Sequence, residues 1–248
     1  STPYDSNGLT REHRESWHNG RSNHYMFDLN RDWAWLTQLE SEQRVKKYNL
    51  WLPHIHVDFH EQGINNPYYF APAAEPLHEA ITDFQIDFQD AIGKNHASYF
   101  DKEGWFYFTK QNFDLLYPSY GDSYPMFLGS IGMTYEQAGG GVAGLGIDNN
   151  ENVELTLIDR IEHHYTTGIS TVEMAVKNKK IINENYQAYF KNKKLKYKNF
   201  VLEGNIDKID ALASLLNKHE IKSYALKENN TLKGFNYQKQ KITNTSFS

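Results

Sequence analysis

The chain has 248 residues, with 26 Lys and Arg against 31 Asp and Glu, a formal net charge of -5, no cysteine and 15% aromatic residues. The missing cysteines exclude disulfides, thiolate zinc sites and a cysteine nucleophile, so any metal site must use His and carboxylate ligands. An acidic balance without a long basic run leaves no footprint for nucleic acid, and no window offers the roughly 18 consecutive apolar residues of a membrane span.

This length suits one large or two smaller domains. The sequence opens at Ser1 in a stretch rich in Ser, Asn, Gly, Arg and His that continues to residue 24; it reads as surface loop, and as a trimmed or processed product. From Trp35, the apolar positions Leu39, Val45, Tyr48 and Leu52 keep helical spacing until Pro53 stops the helix. His54 to His60 then alternates strictly, with Ile55, Val57 and Phe59 on one face and three His plus Asp58 on the other, which predicts a strand.

A second helix is expected from Pro76, in its first turn, through Leu77, Ile81, Phe84, Phe88 and Ile92 to a stop at Gly93. Trp105 to Phe108 and Ile131 to Glu136 are short strand candidates, with a turn-rich loop from Tyr117 to Pro125 between them. Val153 to Leu157 reads as a strand. Ile158, Ile161, Tyr165, Ile169, Val172 and Val176 mark a long helix that frays into a Lys/Asn-rich linker. Phe200 to Leu202, Ile206 to Leu216 and Ile221 to Leu226 read as one βαβ unit before a polar tail. The expected organisation is an α/β domain over residues 1–180, a linker over 181–198, and the start of a second small α/β domain over 199–248. In the first domain, a mixed sheet carries helices on both faces.

Three segments hold chemistry. A strand inside an α/β sheet should read as near-continuous apolar residues, so the polar face of His54 to His60 needs hydrogen bonds or a ligand, and its C-terminal end at His60 is where a crevice belongs. Hydrogen-bonded structural histidines are the plain alternative. Asn30 beside Arg31 puts an amide next to a guanidinium, a pair suited to a carboxylate. Glu136 ends a strand, where a carboxylate can serve as general base.

In order as well as in wording, these segments resemble the zinc carboxypeptidases, the carboxypeptidase A-like metallopeptidases, over about residues 5 to 180. The family's Asp-Leu-Asn-Arg segment matches Asp28 to Arg31, its Asp-x-His strand ending matches Asp58-Phe59-His60, and its Thr-x-Glu matches Thr134-Tyr135-Glu136. The resemblance implies a zinc cofactor with His60 as one ligand and Glu136 as general base toward a zinc-activated water. Asn30 and Arg31 would hold the terminal carboxylate of a peptide or protein C-terminus. Tyr117 is the implied capping tyrosine, with Tyr120 and Tyr124 as rivals, and Ser130 and Met133 are candidate pocket contacts. A further arginine is expected upstream of Asn30, where Arg14 and Arg11 are the candidates.

The family's first two zinc ligands come from a His-x-x-Glu motif that this sequence does not contain. The expectation is therefore an inactive C-terminal portion of a catalytic domain, truncated at its N-terminus, whose longer parent is exported. Two alternatives stand beside it: a metal-free module that binds peptide termini, and a carbohydrate-active protein using Asp58, Glu61 and Glu136 as acid and base. Gly139, Gly141 and Gly144 formally fit a dinucleotide-binding spacing, but a polar loop and a strand come after them, rather than a helix opening at the last glycine. His163 and His164, adjacent in a helix, do not converge as ligands and read as structural.

Overall fold

The computed structural model describes residues 22–140, 143–191, 199–226 and 230–247. The chain divides into two compact units, Ser1–Lys193 and Lys194–Ser248. In chain order the first holds α1 (Leu39–Trp51), β1 (Ile55–Gln62), β2 (Tyr68–Tyr69), β3 (Ala74–Leu77), α2 (Asp83–Glu103), β4 (Tyr107–Phe108) and β5 (Asp114–Leu115). It continues with α3 (Ser123–Met126), β6 (Ile131–Ala138), β7 (Gly146–Asp148), β8 (Glu154–Thr156), α4 (Leu157–Lys177) and α5 (Lys179–Lys191).

The architecture is mixed α/β. Four strands form one sheet in the order β1-β6-β2-β4, with β1 parallel to β6, β2 antiparallel to β6, and β4 parallel to β2. Ile131, Met133 and Tyr135 of β6 join Phe88, Ile92 and Phe100 of α2 and Ile182 of α5 in one buried cluster, against which Ile55 and Val57 of β1 pack. The alternation of β1 thus sends Ile55 and Val57 to the helix-covered core, while Phe59 on the same face stays exposed. Its opposite face meets α1, where Tyr48 and the buried Trp33 both pack edge-on to His56. His56 is held neutral by that burial, which outweighs the raising influence of Asp58.

The second helix differs from the sequence expectation at both ends. Pro76 lies in β3, paired with β5, and α2 starts only after Thr82. There, Thr82 Oγ1 accepts from Gln85 N at 3.3 Å while Gln85 Oε1 accepts from Thr82 N at 2.9 Å, a reciprocal cap that satisfies two otherwise orphaned donors. Gly93 does not stop the helix. It lies inside it because a Cβ there would stand 2.2 Å from the carbonyl oxygen of Ala71, and the stop is Gly104, in the left-handed region at φ 71°.

The stretch expected as linker is helical up to Lys191, and α5 buries Ile182 and Tyr189, whose hydroxyl donates to Phe127 O at 2.7 Å. Residues 192–198 lie outside the described ones. In the second unit, α6 (Ile206–Lys218) forms where expected, but Phe200 to Leu202 and Ile221 to Leu226 take no strand structure. The strands are instead β9 (Asn230–Asn236) and β10 (Lys241–Phe247), an antiparallel hairpin within the polar tail. Polar, exposed strands carry no apolar period; the hairpin depends on its turn, where Asn236 Oδ1 accepts from Lys239 N at 2.9 Å.

Candidate functional site

The parallel register of β1 and β6 sets Asp58 opposite Thr134 and His60 opposite Glu136, all on the sheet face away from the core cluster. Two motifs 76 residues apart thereby meet at the C-terminal ends of adjacent parallel strands, where α/β sheets place their crevices. Glu136 is buried, and its position is bridged on the other side by Tyr69 of β2. Burial, then the neighbouring charges of Asp122 and Glu136, push the Tyr69 phenol up.

The Asp-Leu-Asn-Arg segment reaches this edge through a short 3-10 turn, Leu29–Arg31. Asp28 caps it by accepting from Asn30 N at 2.9 Å, and Arg44 donates to Leu29 O at 2.8 Å. Ser119 Oγ ties the turn-rich loop from Tyr117 to Pro125 to the same turn by donating to Arg31 O at 2.8 Å. Asn30 Oδ1 accepts from Gly121 N at 2.7 Å and from Trp33 Nε1 at 3.2 Å, which fixes its amide with Nδ2 toward His60.

Asp58 Oδ2 stands 2.7 Å from His60 Nε2, and Asn30 Nδ2 stands 3.0 Å from the same nitrogen. Nε2 cannot donate and accept at once. Asp58 accepts hydrogen bonds from both His60 and Asn30, so the two donors crowd together because they share one acceptor. With the proton on Nε2, the ring's lone pair lies on Nδ1, the arrangement a carboxylate-supported histidine ligand needs. Burial alone would raise the Asp58 carboxyl; the hydrogen bonds from His60 and from the Asn30 amide and the neighbouring imidazoles of His60 and His56 together hold it below the usual range. Gly121 is required beside this pair, since a Cβ there would approach Asp58 Oδ2 to 2.1 Å.

Arg31 is exposed, with its guanidinium carbon 4.4 Å from the centre of the Tyr120 ring. Tyr117 lies one ring further out, 5.0 Å from Tyr120, with its hydroxyl accepting from Trp35 Nε1 at 2.5 Å. Tyr124 is buried against Trp33 and Tyr48, which removes it from the cluster of Asp58, His60 and Asn30. Met133 is also removed, because it lies in the core cluster on the opposite face of β6; Ser130 is fully buried. Arg14 and Arg11 lie outside the described residues.

One further correction concerns a residue near the strand ends. Glu61 points away from Asp58 and Glu136 and pairs with Arg160 at 2.9 Å, so it cannot join them as an acid and base pair. Arg160 also donates to the carbonyls of Ala143 and Gly144, holding the glycine loop; Gly141 of the decoy motif lies outside the described residues. His163 and His164 are structural, as expected. His163 pairs with Gln137 at 2.7 Å and packs on Trp105, whereas His164 takes Tyr68 OH at 2.7 Å and the backbone of His60, and burial pushes both down to about 4.

Asp122 is a site neighbour that the motifs alone did not identify. Its buried carboxylate accepts from Thr134 Oγ1 at 2.9 Å and from Ser123 N at 2.7 Å, and burial is what raises it. The available signal was its place as N-cap of α3 in Gly121-Asp122-Ser123. Among the described residues, no three His, Asp or Glu side chains form a group that could hold a metal ion, so His60 supplies at most one ligand there. Among those residues, no helix is long and apolar enough to cross a membrane. No protein family, curated protein or solved structure matches this chain.

Proposed function

We propose that this chain carries the substrate-binding and proton-transfer side of a zinc metallocarboxypeptidase-type site, in a zinc carboxypeptidase-like fold. The observation that carries the reading is the juxtaposition of His60, supported through Nε2 by Asp58, with Glu136 at the ends of two paired parallel strands and Asn30 bonded beside them. A histidine whose Nε2 proton is held by a carboxylate is oriented to give its Nδ1 lone pair to a metal. When bound, zinc supplies a Lewis acid that polarises a carbonyl and acidifies a water.

The chain's own residues then have separable tasks. Arg31, with Asn30, holds the terminal carboxylate of a peptide or protein substrate, a group whose planar geometry matches a guanidinium. Glu136 takes a proton from the attacking water on its carboxylate and returns it to the leaving amine. Tyr117, with Tyr120 beneath it against Arg31, closes over the bound terminus. On this reading the protein is an exported enzyme of proteolysis.

Equilibrium dialysis against buffered zinc, followed by incubation with a short peptide and with its C-terminal amide, tests the reading. The expected result is weak zinc binding that disappears in His60→Ala, with Arg31-dependent binding, but no cleavage, restricted to the free-carboxylate peptide. Absence of zinc together with Arg31-dependent binding of the free-carboxylate peptide would replace the enzyme by a metal-free terminus-binding module. Absence of both would end both readings.

A further inference from the structure

The amphipathic helix α4 is inside out. Its buried residues are Arg160, Thr167, Ser170 and Thr171, which bond to a polar network: Ser170 Oγ to His96 at 2.7 Å, Thr171 Oγ1 to Tyr135 OH at 2.7 Å, and Thr167 Oγ1 to Tyr68 OH at 2.9 Å. The apolar row lies on the other side. Ile158, Ile161, Tyr165, Ile169, Val172 and Val176 are between 47% and 68% exposed. They recur at intervals of three and four over five turns, so they make one continuous ridge roughly 27 Å long rather than scattered surface residues. Exposed Phe59, which packs edge-on to His164 at 5.1 Å, extends the apolar surface toward the end of β1. A patch of this continuity marks an interaction surface.

Charge identifies the occupant. The N-terminal end of the ridge is flanked by exposed Glu154 and Glu162, and there the single arginine, Arg160, is already neutralised by Glu61 at 2.9 Å. The C-terminal end is flanked by exposed Lys177, Lys179 and Lys180; Lys177 is paired with Glu173 at 2.5 Å and Lys180 with Glu184 at 4.0 Å, so the net positive charge there rests on Lys179. A ridge that is acidic at one end, basic at the other and apolar between is complementary to itself when turned end for end. The helix dipole adds to the same preference, because antiparallel helices place opposite ends side by side. A two-fold axis needs this kind of self-complementary surface. We infer that α4 is a homodimer interface, packing antiparallel against α4 of a second copy of this chain with the apolar row at its centre and the charged ends crossed.

Sedimentation equilibrium of the full chain, in the micromolar range and at low and high salt, tests this. Dimers are expected, with a dissociation constant raised at least about tenfold by Ile169→Glu while circular dichroism stays unchanged. The paired reversal Glu154→Lys with Glu162→Lys, and separately Lys179→Glu with Lys180→Glu, should each weaken the dimer. Mixing those two variants should restore it as a heterodimer, since every crossed end then meets its opposite. A wild-type chain that stays monomeric overturns the inference. So does a dimer insensitive to Ile169→Glu, which places the interface elsewhere. A monomer whose melting temperature falls in Ile169→Glu also overturns it, because the row would then be covered within the chain.

Discussion

Asp58 decides the chemistry available at the strand ends, because it chooses which nitrogen of His60 holds the proton. Its Oδ2 takes that proton at 2.7 Å, and the Asn30 amide, fixed by Gly121 and Trp33, donates to the same carboxylate. Asp58→Ala removes the acceptor and leaves Asn30 Nδ2 3.0 Å from Nε2 with no carboxylate to share. The tautomer should then reverse, with Nε2 accepting from Asn30 and the proton moving to Nδ1. Nitrogen-15 NMR of the histidine rings reads this directly: wild type is expected to show His60 protonated on Nε2, and the variant on Nδ1. A wild-type ring protonated on Nδ1 would remove the physical basis for His60 as a metal ligand through that atom. Arg31 is a second test at this scale. Its guanidinium is exposed and stacked on Tyr120. Arg31→Lys keeps the charge but loses the planar fork, so preference for a free-carboxylate peptide over its amide should fall by about tenfold, measured by calorimetry.

Among the elements, the clearest local rule is the cap on α2. Thr82→Ala removes the hydroxyl that accepts from Gln85 N and donates to Gln85 Oε1, while the return bond from the Thr82 backbone N stays, so the first unit should lose about 1 kcal/mol in urea unfolding. Gly93→Ala should cost more, roughly 1–3 kcal/mol, because its new methyl meets the Ala71 carbonyl oxygen, a backbone atom that a side-chain rotation cannot move. A Gly93→Ala chain as stable as wild type would mean that α2 and the Ala71 segment shift apart freely. Both positions were present in the sequence, and Pro76 and Gly93 still suggested the wrong boundaries. Pro76 fits the first turn of a helix but fits β3 equally well, and a glycine required by close approach looks the same in sequence as one required by a stop. Strand β1 was legible to within two residues because alternation is a strong signal when one face is polar. That its polar face meets Asn30 and Gly121 was readable only through the order of the motifs, since neither spacing nor period encodes which loops converge. The period of α4 identified a helix, but periodicity reports that two faces differ and not which one is buried. Its inward face is polar because His96, Tyr68 and Tyr135 provide partners for it, and those partners are distant in sequence.

At the scale of the whole molecule, those buried partners make the first unit sensitive to acid well above the range in which carboxylates titrate. His96 is fully buried between Ser170 and Tyr135, and desolvation pushes it down to about 3. Burial likewise brings His163 and His164 down to about 4, and lowers His56. In the unfolded chain each of these rings binds a proton near its ordinary value of about 6.5. As pH falls below that value, the unfolded state gains protons that the folded state still refuses, so stability is full above about 6.5 and declines until each folded ring titrates. Each histidine contributes a slope of at most about 1.4 kcal/mol per pH unit, and the slopes add while the rings titrate together. Asp58 behaves differently: its lowered carboxyl stabilises the folded state above the ordinary carboxylate value, and that contribution is lost only as pH falls through the carboxylate range. The urea midpoint of the first unit's transition should therefore decline steeply between about pH 6.5 and 4.5, a window in which Asp58 is still ionised in both states. His96→Gln removes one titrating ring, so it should lower stability at neutral pH and make the decline shallower. An unchanged slope in that variant would show that His96 takes up its proton without unfolding the network around Tyr135 and Ser170.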